Sequence, residues 1–492
     1  MSRPRNAYFA VFLLSISLFS AFLVSCSRRK TMLTEPSNSA RNITAILTGS
    51  LTLPLSPENI STIPLYQIHA NLWDTILARD GKAGLATLTE TRDSGKVLSF
   101  EITPDSRFSN GRPIHSSDVV FSIQRLMTRQ EGGHFNARGV IAEIKAVTDT
   151  RFEIRLKDTT PAFLFLLSIP EMGIVPSEAC DHDGNVSSLA VTSGAYVAVG
   201  KPSEGQIALT KNTYFKRNDS KSPDRVTVLF SPTGITPADA LRSRQADFLE
   251  VYDGAGIAAF ESLKTDPKID RRITRPSYSI FMVLKSDRLS ESERLSISKL
   301  MREEFPSHYT LNSELEKWSR EILPPGTFGS LGNDLPPLPN PASGSLPKHL
   351  RIGLVGTPSP LAKAVISILS AHGVKVEFVA SDSTEADVGL SGHGMNYDFP
   401  EIEFYLAMIS PWASIIATEK ERSLITQSLH SGDPEVRTRA IREIGRGLIA
   451  TGRVIPLIVR SYVHVFRKDR INLDAMTNYD GDVVFSRMRV EP

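Results

Sequence analysis

Apolar and polar residues alternate along two stretches of the first third of the chain. Leu98, Phe100 and Ile102 fall on one side with Ser99 and Glu101 opposite, and Phe152, Ile154 and Leu156 repeat the pattern against Arg151, Glu153 and Arg155. A period of two predicts half-buried strands. Between them Val120, Ile123, Leu126 and Met127 recur at helical spacing behind Ser116, a predicted N-cap, and Asp118 in the first turn. In the second part, Leu350, Ile352 and Leu354 predict a strand. Ser359-Pro360 then opens a helix carrying Leu361, Val365, Ile368 and Leu369, Gly373 stops it, and residues 374–379 return as a strand. This βαβ order implies two parallel strands. A further helix is predicted from Asp433-Pro434, with Val436, Ala440, Ile441, Ile444 and Leu448 on one face and Gly452 past its end, followed by a buried strand from Val454 to Val459. Residues 323–347 hold seven prolines and four glycines, which suits an ordered surface connection rather than a helix or central strand.

The N-terminus has a different pattern. Arg3 and Arg5 precede an apolar run from Ala7 to Val24, interrupted by Ser15, Ser17 and Ser20, and then comes Leu23-Val24-Ser25-Cys26. The run is short for a membrane span and has the layout of a signal peptide, residues 1–25. Its end looks like a bacterial lipobox, in which Cys26 would be lipidated and anchor the chain to the membrane. Residues 26–42 read as a flexible tether. The body is then extracytoplasmic, and Ser27 after the cysteine leaves inner- and outer-membrane placement both open.

Length and composition narrow the function classes. The 492 residues suggest two to four domains, and 41% hydrophobic with 22% charged residues excludes a disordered chain. Lys and Arg number 56 against 54 acidic residues, a balance that argues against a nucleic-acid partner. Two cysteines, Cys26 and Cys180, are too few for a disulfide framework or a thiolate metal site. HExxH, GxSxG, Walker, GxGxxG and CxxC motifs do not occur, so the expectation is a protein that is not an enzyme and carries no cofactor or metal. Asp181-His182-Asp183-Gly184-Asn185 has calcium-loop residue types without the spacing, and reads as a solvated turn.

The stretch from Phe100 to Ser122, with Phe108-Ser109-Asn110-Gly111-Arg112-Pro113 leading into Asp118-Val119-Val120-Phe121-Ser122, resembles the signature of the family 5 solute-binding proteins of ABC importers for oligopeptides, dipeptides and nickel. Thr192-Ser193-Gly194-Ala195-Tyr196, Lys211-Asn212-Thr213-Tyr214-Phe215, Leu323-Pro324-Pro325-Gly326 and Ile455-Pro456-Leu457 are similar to further family stretches and follow in the same order. The resemblance covers residues 43 to 485. It implies an α/β fold of two lobes like the periplasmic binding proteins (type II, large peptide-binding class) with an extra inserted α+β domain. Mapped by order, the first lobe would comprise 43–56, 186–265 and 456–492, the inserted domain 57–185, and the second lobe 266–455. The implied partners are a peptide or peptide-like solute and ABC permease subunits, with the binding protein itself a monomer.

The resemblance also implies a site. In peptide binders of this family the ligand lies extended between the lobes, and an acid in the second lobe pairs with its α-ammonium. Counting from Pro400 places Asn396 where the acid is expected. Either Asp398 substitutes through a shifted register, or the ligand lacks a free amine, or Asn396 is an ordinary turn residue. The backbone from Gly389 through Ser391, Gly392, His393, Gly394, Asn396 and Tyr397 to Asp398 is the predicted wall, glycine-rich enough for close approach. Tyr278 and Phe281, where the chain enters the second lobe, suit either hinge packing or cleft lining. Two other functions remain compatible with the sequence: a sensing or accessory lipoprotein of the same fold, and a secreted hydrolase.

Overall fold

A computed structural model describes residues 41–491 except 50, 60–61, 79–83, 129–136, 233, 252, 338–345, 355–357, 381–382, 395–398, 403, 405–417 and 475–482. Strand β1 (Asn42–Leu47) opens the described chain. After the helix Ile63–Leu72, strands β2 (Ala86–Arg92), β3 (Val97–Ile102), β4 (Ile141–Ala146) and β5 (Arg151–Leu156) form a separate antiparallel sheet in the order β2-β3-β5-β4. The two alternating stretches of the sequence are β3 and β5. Their apolar sides face one core, with Phe100 opposite Phe152 in register and their rings stacked at 5.2 Å.

The helix Ser116–Thr128 packs on this sheet, but Ser116 does not cap it. The helix begins at Ser116, whose hydroxyl donates to the Thr148 carbonyl. The cap comes from Asp118, which accepts the His115 N–H at 2.8 Å and pairs with Arg112 at 2.9 Å. The turn before it needs a glycine: Gly111 has φ +86, and a Cβ there would meet the Tyr214 ring at 3.0 Å. The family-like stretch from Phe108 to Asp118 therefore sets a turn and a helix entry.

Strands β6 (Tyr196–Ser203), β7 (Gln206–Lys211) and β8 (Arg225–Phe230) form an antiparallel meander, and β8 runs parallel to β1. Strand β9 (Phe248–Val251) flanks β1 on its other side. The chain then enters the 16-residue strand β10 (Ile269–Leu284). After it come the short β11 (Glu316–Trp318), then β12 (His349–Leu354), β13 (Lys375–Ala380) and β14 (Val388–Gly394), and finally the 14-residue β15 (Val454–Arg467). The predicted βαβ unit is β12, the helix Pro360–Ala371 and β13, with β12 parallel to both β13 and β14.

These strands make one 11-stranded sheet in the order β13-β12-β14-β10-β15-β9-β1-β8-β7-β6, with β11 beside β15. Its two ends are joined by β10 and β15, which pair antiparallel along their whole length. Near Ile269–Ile273 this ribbon borders β9 and the first lobe; near Tyr278–Leu284 it borders β14 and the second lobe. Each lobe has its own core. Ile43, Ala45, Tyr196, Val228 and Phe248 belong to the first, and Met282, Ile297, Ile352, Val365 and Leu457 to the second.

The ribbon changes register at its middle, between Ile273 and Pro276 and again between Pro276 and Tyr278. Proline lacks a ladder N–H and fits a sheet only where the ladder is already broken, which is where Pro276 lies. Every residue of β15 is buried, so its charged residues each need a partner. Arg460 Nε donates to Glu316 at 2.9 Å, and Arg467 pairs with Asp247 at 3.0 Å. The strand predicted from Val454 to Val459 extends eight residues further, because these ion pairs let it cross into the other lobe.

Candidate functional site

The middle of the ribbon is where both lobes meet, and the predicted wall β14 lies beside it. From Tyr278 opposite Gly394 to Leu284 opposite Val388, β10 and β14 keep an unbroken antiparallel register. Side chains therefore alternate strictly between two faces there. Tyr278, Ile280, Met282 and Leu284 share one face; Met282 and Leu284 enter the second-lobe core, with Ile280 packed against it. Ser279, Phe281 and Val283 share the other, and Phe281 and Val283 enter a core that also contains residues of the β2–β5 unit.

This alternation divides the predicted wall. Gly392 is opposite Ile280, on the tyrosine face, and a Cβ there would lie 2.5 Å from the Tyr278 hydroxyl oxygen. Gly394 borders Tyr462, whose hydroxyl oxygen would be 3.2 Å from an added Cβ. The rings of Tyr278 and Tyr462 meet edge-on at 5.8 Å. The close approach that glycine permits at Gly392 is thus made by a tyrosine of this chain. Burial pushes the Tyr278 phenol above its ordinary pKa, which fits a packing role; it stays neutral at physiological pH.

Ser391 is opposite Phe281 and Gly389 opposite Val283, on the other face, and position 393 is opposite Ser279. Asn396, Tyr397 and Asp398 lie outside the described residues, as does Cys26. On this second face the strand is apolar toward Val283 and polar toward the ribbon's middle. Ser277 and Ser279 are buried there, and neither hydroxyl has a hydrogen bond. Sequence reading passed over both serines because single serines in a strand carry no pattern.

The second lobe also touches the β2–β5 unit directly. Phe165 stacks on Phe399 at 5.8 Å, and the Arg437 guanidinium lies over both Phe399, at 4.9 Å, and Phe328, at 4.5 Å. Arg437 also pairs with the buried Glu401 at 2.7 Å, whose carboxyl burial holds above its usual pKa despite that cation. Nearby, His430 Nδ1 donates to the Thr159 carbonyl at 2.8 Å. Phe399 directly follows residue 398 in the sequence, and its own ring is held against Phe165.

The stretch with calcium-loop residue types is held by its own backbone. Asp181 accepts the backbone N–H groups of Asp183, at 3.0 Å, and Asn185, at 2.8 Å, in an exposed turn. Trp73 packs in the core that holds Ile43 and Val228, and Trp318 is half-exposed against Phe305 and Tyr309; Trp412 lies outside the described residues. Among the described residues no helix is long and apolar enough to cross a membrane.

Comparison with known proteins places this architecture. Residues 81–295 match the family model described as bacterial extracellular solute-binding proteins, family 5 Middle. The periplasmic oligopeptide-binding protein OppA of Salmonella typhimurium is 27% identical over 243 residues, 44% of this chain and 44% of that protein. The nickel-binding periplasmic protein of Escherichia coli is 21% identical over 207 residues, 41% of this chain and 39% of that protein. The match thus spans less than half the length of these curated relatives. Among solved structures, a dipeptide binding protein from Pseudoalteromonas sp. SM9913 in complex with Met-Leu superposes with a TM-score of 0.78 at 16% identity, over 92% of this chain and all of that one. The binding protein DppA from Helicobacter pylori in complex with peptide STSA gives 0.77 at 16% identity, over 92% and 99%. NikA from Brucella suis in complex with Fe(III)-EDTA gives 0.74 at 16% identity, over 91% and 100%. The fold is that of the two-lobed binding proteins.

Proposed function

We propose that this chain is a bacterial extracellular solute-binding protein of the family 5 group that captures a peptide or peptide-like solute between its lobes and delivers it to the permease of an ABC importer. The observation that carries this reading is the ribbon. Two lobes with separate cores are joined by a continuous pair of strands whose register breaks at Pro276, a construction suited to bending without unfolding. A polar strip of Ser277, Ser279 and Ser391 borders that bend. The Met-Leu and STSA ligands of the peptide-binding neighbours point to the same solute class.

Several finer assignments belong to this reading. The first lobe comprises 43–56, 186–265 and 456–492, the inserted domain 57–185 and the second lobe 266–455. The site lies along Gly389, Ser391, Gly392, His393 and Gly394 and continues through Asn396, Tyr397 and Asp398. Cys26 carries the lipid that holds the monomeric protein at the membrane. The chain binds its solute without cleaving it, as its named relatives are binding proteins.

Thermal unfolding of the full chain in non-ionic detergent, with tri- to pentapeptides offered free and N-acetylated, tests the reading. Ligand at roughly a hundredfold excess over Kd stabilises the native state by about 2.7 kcal/mol, a readable rise in melting temperature. Peptide recovered intact by mass spectrometry supports binding without hydrolysis. A shift with free peptides alone means that an acid such as Asp398 reads the α-amine, and an equal or larger shift with acetylated ones assigns the specificity to Asn396. No shift with any peptide contradicts the reading.

A further inference from the structure

We propose that Ser277 and Ser279 are ligand-binding residues whose hydroxyls hydrogen-bond alternate backbone amides of an extended peptide, an assignment that rests on the peptide-binding reading above. Both side chains are almost wholly shielded, at 0% and 2% exposure, and neither oxygen has a hydrogen-bond partner. A serine hydroxyl offers one donor and two acceptor positions, and burying it unused is as costly as losing a hydrogen bond. Alanine would fill the same strand positions without that penalty.

The neighbouring hydroxyl shows what a structural role looks like. Thr274 Oγ1 donates to the Arg275 carbonyl at 3.0 Å and accepts the Tyr462 N–H at 3.0 Å, which ties the ribbon together at its register break. Ser277 and Ser279 make no such bond. Ser277 lies within the second register shift, where the lobes join, and Ser279 just beyond it, on the face of β10 that carries Phe281 and opposite position 393 of the wall; both are buried two residues apart.

Their spacing identifies the ligand chemistry. Two residues along a strand advance by about 6.6 to 6.8 Å, which is also the repeat between successive carbonyls on one edge of an extended peptide. Neutral hydroxyls in that repeat suit amide groups rather than a charge. Neither hydroxyl is reachable from solvent as the lobes stand, so the peptide enters while the lobes are apart.

The test is calorimetric titration of the full chain in detergent with free and N-acetylated tetra-alanine, comparing wild type with Ser277→Ala, Ser279→Ala and the double variant. The expected result is about tenfold weaker binding for each single substitution and roughly a hundredfold for the double, with the ligand-free melting temperature unchanged or raised. A second measurement needs no variant: esters replacing single amides of the tetrapeptide weaken binding to wild type at positions two residues apart. Where the variants fold, the same esters cost nothing more in the double variant. Variants that bind within twofold of wild type, or ester effects without alternation, overturn this assignment and leave the peptide reading standing. A wild type that binds neither peptide overturns both.

Discussion

His69 is the residue whose surroundings make the sharpest demand on pH. It is fully buried with its ring edge-on to Trp73 at 4.9 Å, and burial pushes its pKa down to about 3, against a smaller upward pull from Glu58. The unfolded chain takes up the proton near pH 6.5 while the folded chain refuses it. Stability is therefore full above about pH 6.5 and falls as the pH drops toward 3. Between pH 7 and 5 the loss from this group is about 2 kcal/mol. Denaturant titrations across that range, in wild type and His69→Leu, check it: the variant loses the part of the slope that His69 supplies.

Arg125 makes a comparable demand through charge. Its guanidinium pairs with Glu58 at 2.7 Å, both side chains are nearly inaccessible, and it also donates to Ser56. Burial alone would raise the Glu58 pKa, but the hydrogen bond and charge of Arg125 outweigh it and hold the carboxyl below its ordinary value. Arg125→Met leaves that buried carboxylate without its cation, although Ser56 Oγ still donates to it, and should cost about 3 to 5 kcal/mol in equilibrium unfolding. Adding Glu58→Gln should restore part of the loss. Such partners are invisible in the sequence, since residues 58 and 125 are joined only by the fold.

Secondary structure was the more legible level. The half-buried strands β3 and β5, the βαβ unit with its Ser359 cap and Gly373 stop, and the helix after Asp433 all follow from periodicity and end signals that act locally. The failures were also physical. The apolar run of β15 ends at Val459 because Arg460 and Arg467 interrupt the pattern beyond it, yet ion pairs with other elements allow those charges inside. At Gly392 the sequence suggests close approach by a ligand, whereas the group that approaches in the structure is the Tyr278 ring, and the two residues meet only through the β10–β14 pairing, which no local pattern reveals. Gly392→Ala should therefore cost about 1 to 3 kcal/mol by overpacking. In a Tyr278→Leu background the same substitution should cost clearly less, and a double-mutant cycle on melting curves measures the difference.

At the scale of the molecule, two lobes share one sheet, and the bend between them is confined to a ribbon with Pro276 at its register break. The stack of Phe165, Phe399, Arg437 and Phe328 holds the second lobe against the four-stranded unit without belonging to the serine strip. Phe165→Ala should thus favour separated lobes and raise the peptide dissociation rate several-fold, roughly in line with the loss of one aromatic pair. Stopped-flow release of a labelled peptide reads this out. Asn396 and Asp398, the residues proposed to read the ligand's amine, lie outside the described residues.

The most direct test of a ribbon-hinged peptide binder is the distance between the lobes. Spin labels at the exposed Glu204→Cys and Glu377→Cys, in a Cys180→Ser background, flank opposite ends of the shared sheet. Pulsed electron paramagnetic resonance should show a broad distribution without peptide that narrows and shifts when saturating peptide is added. An identical distribution with and without bound peptide would contradict closure of the lobes as the means of capture.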